Sequence, residues 1–203
     1  GTILDLARQI GPDLVYVSGW MDRGYFRTAR HFKRHGVPVV TGFDDQWVGS
    51  LRQRVGTAVF PLYYRRFFSH AWVAGPRQYE FARRLGFPSE NILFDLLTCD
   101  YELFNRAAET LNAKRKVYPR TFLYVGNFRY VKGTDILVRA YRAYRDQHAG
   151  TWPLLCAGNG EMQPLLEKEP GIEVLGFVAQ TELAELCARA GVFVLPSRHD
   201  QWG

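Results

Sequence analysis

The stretch FLYVGNFRYVKGTDIL, residues 122–137, decides the fold. Phe122 to Val125 are strand formers and Gly126 ends them. Lys132-Gly133 then opens a segment in which Ile136, Leu137, Ala140, Tyr141 and Tyr144 share one helical side over 134–146. A short strand passing through glycine into a helix is half of a βαβ unit. Downstream the pattern repeats: a strand at 154–157, a short helix at 161–168, a strand at 172–175, a helix at 180–190 and a strand at 192–195. Upstream, a helix over 3–10 stops at Gly11-Pro12. Strands at 14–17, 37–40, 71–74 and 92–94 then alternate with helical stretches at 22–35, 50–68 and 77–85. Such alternation predicts parallel sheets covered on both faces, so the class is α/β with two doubly wound, Rossmann-like lobes. RAAETLNAKRKVYP (106–119) loses the apolar periodicity, which predicts a first lobe at 1–105, a linker at 106–119 and a second lobe at 120–203.

The chain has 203 residues, 47% of them hydrophobic, and a net charge of +6, which is enough for a sizeable core and too apolar for disorder. No apolar run approaches the roughly 18–20 residues that span a bilayer, and the opening GTILDLARQIGPD is not a basic-then-apolar leader. Cys99, Cys156 and Cys187 are too few and too scattered for a disulfide framework or a metal cluster, and are expected to be buried thiols in a reducing cytoplasm. The chain opens at Gly1 instead of methionine and stops at Gly203 just past a strand-like run, so both lobes are expected to be incomplete.

In parallel sheets ligands lie beyond the carboxyl ends of the strands. There Gly126 and Gly133 let backbone approach a ligand, the next helix start offers unpaired N–H groups, and Lys132 adds a full positive charge. Together these suit a diphosphate. They suit equally an ordinary strand-to-helix turn with a solvated lysine, and the pattern is neither a P-loop nor a GxGxxG fingerprint.

The same stretch resembles the "VGRxxxxKG" signature of family 4-type retaining glycosyltransferases of GT-B architecture (glycosyl transferases group 1). Gly126, Lys132 and Gly133 match; Asn127 stands where the family has arginine, and Arg129 lies two residues on. LLCAGNGE (154–161), GIEVLGFVAQTEL (171–183) and AGVFVLPSRHDQWG (190–203) are similar, in the same order, to the family's later segments. The resemblance implies a donor diphosphate at Gly126, Asn127, Arg129, Lys132 and Gly133, and the nucleotide near Gly158, Phe177 and Val178. Taken alone, Phe177 reads as a core aromatic. Asp200 stands for the first acid of the family's Glu-x7-Glu pair, and the second position falls beyond residue 203.

VPVVTGFDDQW (37–47) resembles the segment where the family has a histidine after a strand, and Asp44 stands at or beside that position. A carboxylate there could take an acceptor hydroxyl's proton or stabilise a sugar-like cation. Asp44-Asp45 also fits a turn that caps the following helix. The implied reaction moves a sugar from a nucleotide-sugar donor to a glycan or lipid-linked acceptor with retention, Asp44 and Asp200 being the catalytic candidates. The nucleotide sugar is then a substrate, fixed cations take a metal's place, and no metal or other cofactor is expected. The alternatives are a nucleotide-sugar epimerase, a phosphorylase-like enzyme, or a nucleotide- or polyanion-binding module without catalysis.

Positive charge is local: residues 22–84 hold 12 Lys+Arg against 4 Asp+Glu. Arg23, Arg27, Arg30 and Arg34 fall on one helical stripe with Tyr25, Ala29 and Phe32 roughly opposite, and VFPLYYRRFF (59–68) mixes aromatics with Arg65 and Arg66. The composition suits an anionic membrane surface. A solvated basic helix in front of a buried aromatic one fits as well, and single-stranded nucleic acid accepts the same residue types. The resemblance implies the membrane and no nucleic acid: a cytoplasmic protein, peripheral at the inner face, in cell-envelope polysaccharide synthesis.

Overall fold

Thr2 accepts a hydrogen bond from the Asp5 N–H, Gly11 closes the far end in the left-handed conformation, and between them runs α1 (Ile3–Ile10). The computed structural model describes residues 1–114, 117–148 and 152–201. They form two units, Gly1–Thr98 with Gln201, and Cys99–Asp200.

After α1 the first unit continues with β1 (Val15–Ser18), α2 (Arg23–Arg34), β2 (Val39–Phe43), α3 (Leu51–Tyr63), β3 (His70–Val73), α4 (Pro76–Arg84) and β4 (Ile92–Leu93). Its strands are all parallel, in the order β1-β2-β3-β4. Right-handed crossovers that step steadily one way put every helix on the same side of a sheet. The core lies on that side: Val15, Val17, Val39, Phe43, Ala71 and Val73 meet Ala29 and Phe32 of α2, Phe60 of α3 and Phe81 of α4. On the other side Tyr16, Trp72 and Leu93 stay 46%, 37% and 44% exposed. Val40, in register with Tyr16 on that side, is nonetheless buried at 5% exposure.

The second unit comprises α5 (Tyr101–Lys114), β5 (Phe122–Val125), α6 (Thr134–Gln147), β6 (Leu154–Ala157), α7 (Gln163–Glu167), β7 (Ile172–Gly176), α8 (Gln180–Arg189) and β8 (Val192–Phe193). All its strands are parallel, in the order β7-β6-β5-β8. After β7 the chain doubles back across the sheet, so the handedness rule puts α8 opposite α6 and α7. Tyr124, Leu154 and Cys156 pack on Leu137, Val138, Tyr141 and Leu166, while Leu123 and Ala157 are buried on the other face.

Two expectations are corrected. The linker at 106–119 is mostly helix: Asp100 Oδ1 accepts from the Leu103 N–H (3.0 Å), and α5 runs from 101 to 114 and packs on α8. The unit division falls at Thr98/Cys99, and positions 115–116 of the expected linker lie outside the described residues. The cysteines are also not all buried. Cys156 is, and burial pushes its thiol up to about 12; Cys187 is half-buried and Cys99 is exposed.

Candidate functional site

β5 has β6 on one side and β8 on the other, so the loops leaving β5 and β8 part company above the same strand pair. Such a switch point is where open α/β sheets take their ligands. The loop after β5 spans 126–133 and the loop after β8 spans 194–200. The N–H groups of Arg198 and His199 both donate to the Val131 carbonyl (3.0 and 3.4 Å), which ties the two loops together.

The glycines here answer first to the protein's own backbone. A Cβ on Gly133, where φ is +72°, would collide with the Pro196 carbonyl, and one on Gly158 would collide with the Gly126 carbonyl. These residues let the loops close on each other, a requirement that stands before any ligand is considered. Gly126 carries its N–H to the Ala157 carbonyl (3.0 Å) and Gly158 carries its own to the Gly176 carbonyl (2.7 Å), so each extends the strand ladder by one rung. Phe128 is fully buried and anchors the β5 loop, with its N–H on the Asn159 carbonyl (2.9 Å).

The structure brings Lys132 and Asp200 together: Lys132 Nζ donates to Asp200 Oδ1 in a half-buried ion pair. Burial works against the charged form of Asp200, but the hydrogen bond and the charge of Lys132 act the other way, and its pKa falls below the ordinary 3.8. Asn127 is exposed, and its carbonyl accepts from the Tyr124 hydroxyl (3.0 Å). The Arg129 carbonyl accepts from the Lys132 N–H (3.0 Å) and from Thr134 Oγ1 (3.2 Å), which turns the chain into α6. The Arg129 guanidinium is exposed and has no hydrogen-bond or ion-pair partner among the described residues. No side chain caps the start of α6. Arg198 and Asp135, which the sequence reading passed over, join the β8 loop to α6 as a two-pronged ion pair. Beyond the described residues lie Trp202 and Gly203 of the motif that ends the chain.

Phe177 is not a core residue. It follows Gly176 at the carboxyl end of β7 and is 84% exposed, next to half-buried Val178. Gly158, at the end of neighbouring β6, is half-buried too.

In the first unit Asp44 stands at the carboxyl end of β2, half-buried, with its carbonyl accepting from Gln78 Nε2 (2.9 Å). Burial first, and the Asp44 charge second, raise the Tyr16 hydroxyl above its usual pKa. Ser50 caps α3 by accepting from the Gln53 N–H (3.3 Å), and the Asp44-Asp45 pair does not.

The basic patch divides. Arg23, Arg27, Arg30 and Arg34 are all exposed on α2, with Ala29 and Phe32 buried behind them as the stripe requires, while Tyr25 is exposed. Arg65 is corrected to a packing residue: it donates to the carbonyls of Gly86 (3.2 Å) and Phe68 (2.6 Å), and its guanidinium lies 4.4 Å from the Phe87 ring centroid. Arg66 is exposed beside Tyr63 and Phe67. Among the described residues no helix is long and apolar enough to cross a membrane.

Residues 119–203 match the family model described as glycosyl transferases group 1. No curated protein matches the chain. HepE of Anabaena in complex with UDP has the same fold, with a TM-score of 0.70 and 16% identity over 97% of this chain and 56% of that one. The catalytic domain of starch synthase IV from Arabidopsis thaliana bound to ADP and acarbose follows at a TM-score of 0.61, with 11% identity over 98% of this chain and 55% of that one. UDP-GlcNAc 2-epimerase from Neisseria meningitidis bound to UDP-GlcNAc gives 0.55, with 12% identity over 94% and 56%. The chain spans little more than half the length of these proteins and shares with them the two Rossmann-like sheets of the GT-B fold.

Proposed function

We propose that the chain is the core of a retaining glycosyltransferase that uses a nucleoside-diphosphate sugar, with the donor held by the second unit. One observation carries the reading: the segment that matches group 1 glycosyl transferases is the one in which two loops meet at a switch point and place Lys132 and Asp200 side by side. The donor diphosphate would take the uncapped start of α6, with Lys132 and the exposed Arg129 supplying positive charge. Arg129 then serves where Asn127 leaves a cation missing. These groups stabilise the charge that grows on the diphosphate as the sugar leaves, with no metal called for. Exposed Phe177, with Gly158 and Val178 beside it, offers a flat apolar face to the nucleobase. Asp200 stands ready for the sugar once phosphate has displaced it from Lys132, and Asp44 is assigned to the acceptor, a glycan or lipid-linked sugar.

A nucleotide-sugar epimerase is the second reading, supported by the likeness to the Neisseria enzyme. Product analysis separates the two: a glycoside marks transfer, and a sugar epimerised at one carbon, free or still on its nucleotide, marks the epimerase. The donor site itself is tested by calorimetric titration of the full chain with UDP, ADP and GDP. Wild type binds one of them, and Lys132→Ala weakens that binding by about 1–3 kcal/mol, the worth of a charge-assisted hydrogen bond. Equal affinity in the two proteins removes Lys132 from the site.

A further inference from the structure

Arg198 of the β8 loop is held by several partners at once. Its Nη1 donates to the Tyr130 carbonyl (2.7 Å) and to Asp135 Oδ1 (2.6 Å), its Nη2 donates to Asp135 Oδ2 (2.7 Å), and its guanidinium lies 3.8 Å from the Tyr130 ring centroid. A planar fork on both oxygens of a carboxylate, stacked on an aromatic ring, is a geometry lysine cannot reproduce.

Asp135 sits in the first turn of α6 and is the one acid there. A carboxylate at a helix start is good for the helix, because it complements the positive end of the dipole. It is bad for an anion arriving at the same start. Arg139, one turn on, reaches Asp135 Oδ2 at 3.2 Å, but its side chain is 70% exposed, and exposed pairs at that spacing carry little. Arg198 is the better partner, and the hydrogen bond it gives, followed by its charge, lowers the Asp135 carboxyl to about 2.

We propose that Arg198 is a positioning residue of the donor site that acts through Asp135: by gripping both carboxylate oxygens it cancels a negative charge at the start of α6 and leaves that start open to a diphosphate. The inference rests on the donor reading given above and adds a residue to it. It also gives a role to the β8 loop's grip: two main-chain bonds to Val131 bring Arg198 to the acid in the first turn of α6.

The test is a charge-compensation series on the full chain, titrated with the nucleoside diphosphate that wild type binds. Arg198→Ala exposes the Asp135 charge and weakens binding about tenfold. Asp135→Asn binds at least as tightly as wild type. The Arg198→Ala/Asp135→Asn double variant recovers to within about threefold of wild type. A merely structural clamp behaves differently, because each single change breaks it and the double change repairs nothing. A double variant as weak as Arg198→Ala, or an Arg198→Ala protein that binds like wild type, overturns the proposal and leaves the donor site standing. Wild type that binds no nucleotide overturns the donor reading and this inference with it. Thermal melts confirm that each variant is folded, and Arg198→Gln, which keeps a donor for Tyr130, replaces any alanine variant that is not.

Discussion

The two sheets are built from the same strand-helix alphabet, yet only one turns back on itself. In the first unit the order β1-β2-β3-β4 never reverses, the helices share one side, and Asp44 stands at the end of β2 in no ion pair among the described residues. In the second unit the step from β7 to β8 crosses the sheet, and that step brings residues 68 positions apart, Lys132 and Asp200, into one ion pair. Strand order, more than composition, decides where charge converges. The family match follows the same line, since it begins at 119, just ahead of β5.

The largest effect that tests this contrast sets two left-handed glycines against each other. Gly133 and Gly36 have φ of +72° and +83°, but a Cβ on Gly36 meets nothing within 4 Å, whereas one on Gly133 runs into the Pro196 carbonyl. Gly36→Ala therefore costs only the backbone strain, about 1–2 kcal/mol. Gly133→Ala adds the collision and costs about 3 kcal/mol or more, together with nucleotide binding. Urea titrations of both variants read the difference. Equal costs would mean that the β8 loop does not close on the β5 loop.

A smaller effect separates the units by function. Asp44→Asn keeps the shape of β2's end but removes the carboxylate, so turnover of the nucleotide sugar that wild type uses falls about a hundredfold, the usual worth of a positioned acid or base. Its affinity for UDP stays within about twofold of wild type, because the diphosphate is assigned to the other unit. A tenfold loss of UDP affinity in Asp44→Asn would place Asp44 in the donor site and break the division of labour.

How much of this was legible in the sequence follows the same contrast. FLYVGNFRYVKGTDIL reads locally as strand, turn and helix, and β5, the loop and α6 lie where the spacing puts them. α5 escaped because the expected boundary at 105 separates Leu103 and Phe104 from Ala107, Ala108 and Leu111, which by themselves stand on a polar background. Phe177 reads as core because an isolated aromatic carries no mark of its exposure, and Arg65 reads as surface because its partners are backbone carbonyls and a ring, which leave no charge pattern. The Lys132–Asp200 and Arg198–Asp135 pairs were beyond reach for a stronger reason. No local spacing tells which strand neighbours β5, and without that order the two loops have no relation.

The smallest expected effect concerns the first unit's exposed arginines. With Arg65 turned to packing, the patch reduces to Arg23, Arg27, Arg30 and Arg34 on α2 with Arg66 nearby; Arg30, Arg34 and Arg66 all lie within 6.0 Å of the Phe67 ring, which is itself buried. The hold these arginines would give on a membrane is electrostatic, about 1 kcal/mol per arginine close to an anionic leaflet. Sedimentation with phosphatidylglycerol vesicles should then show weak binding at low ionic strength. Raising the salt to about 0.5 M, which shortens the Debye length to a few ångström, should abolish it, as should Arg→Gln at the four α2 positions. Binding that survives both changes must come from apolar groups, and the exposed Leu62 and Val59 of α3 are the ones to substitute next. Absence of binding at low salt would leave the stripe as a solvated helix face.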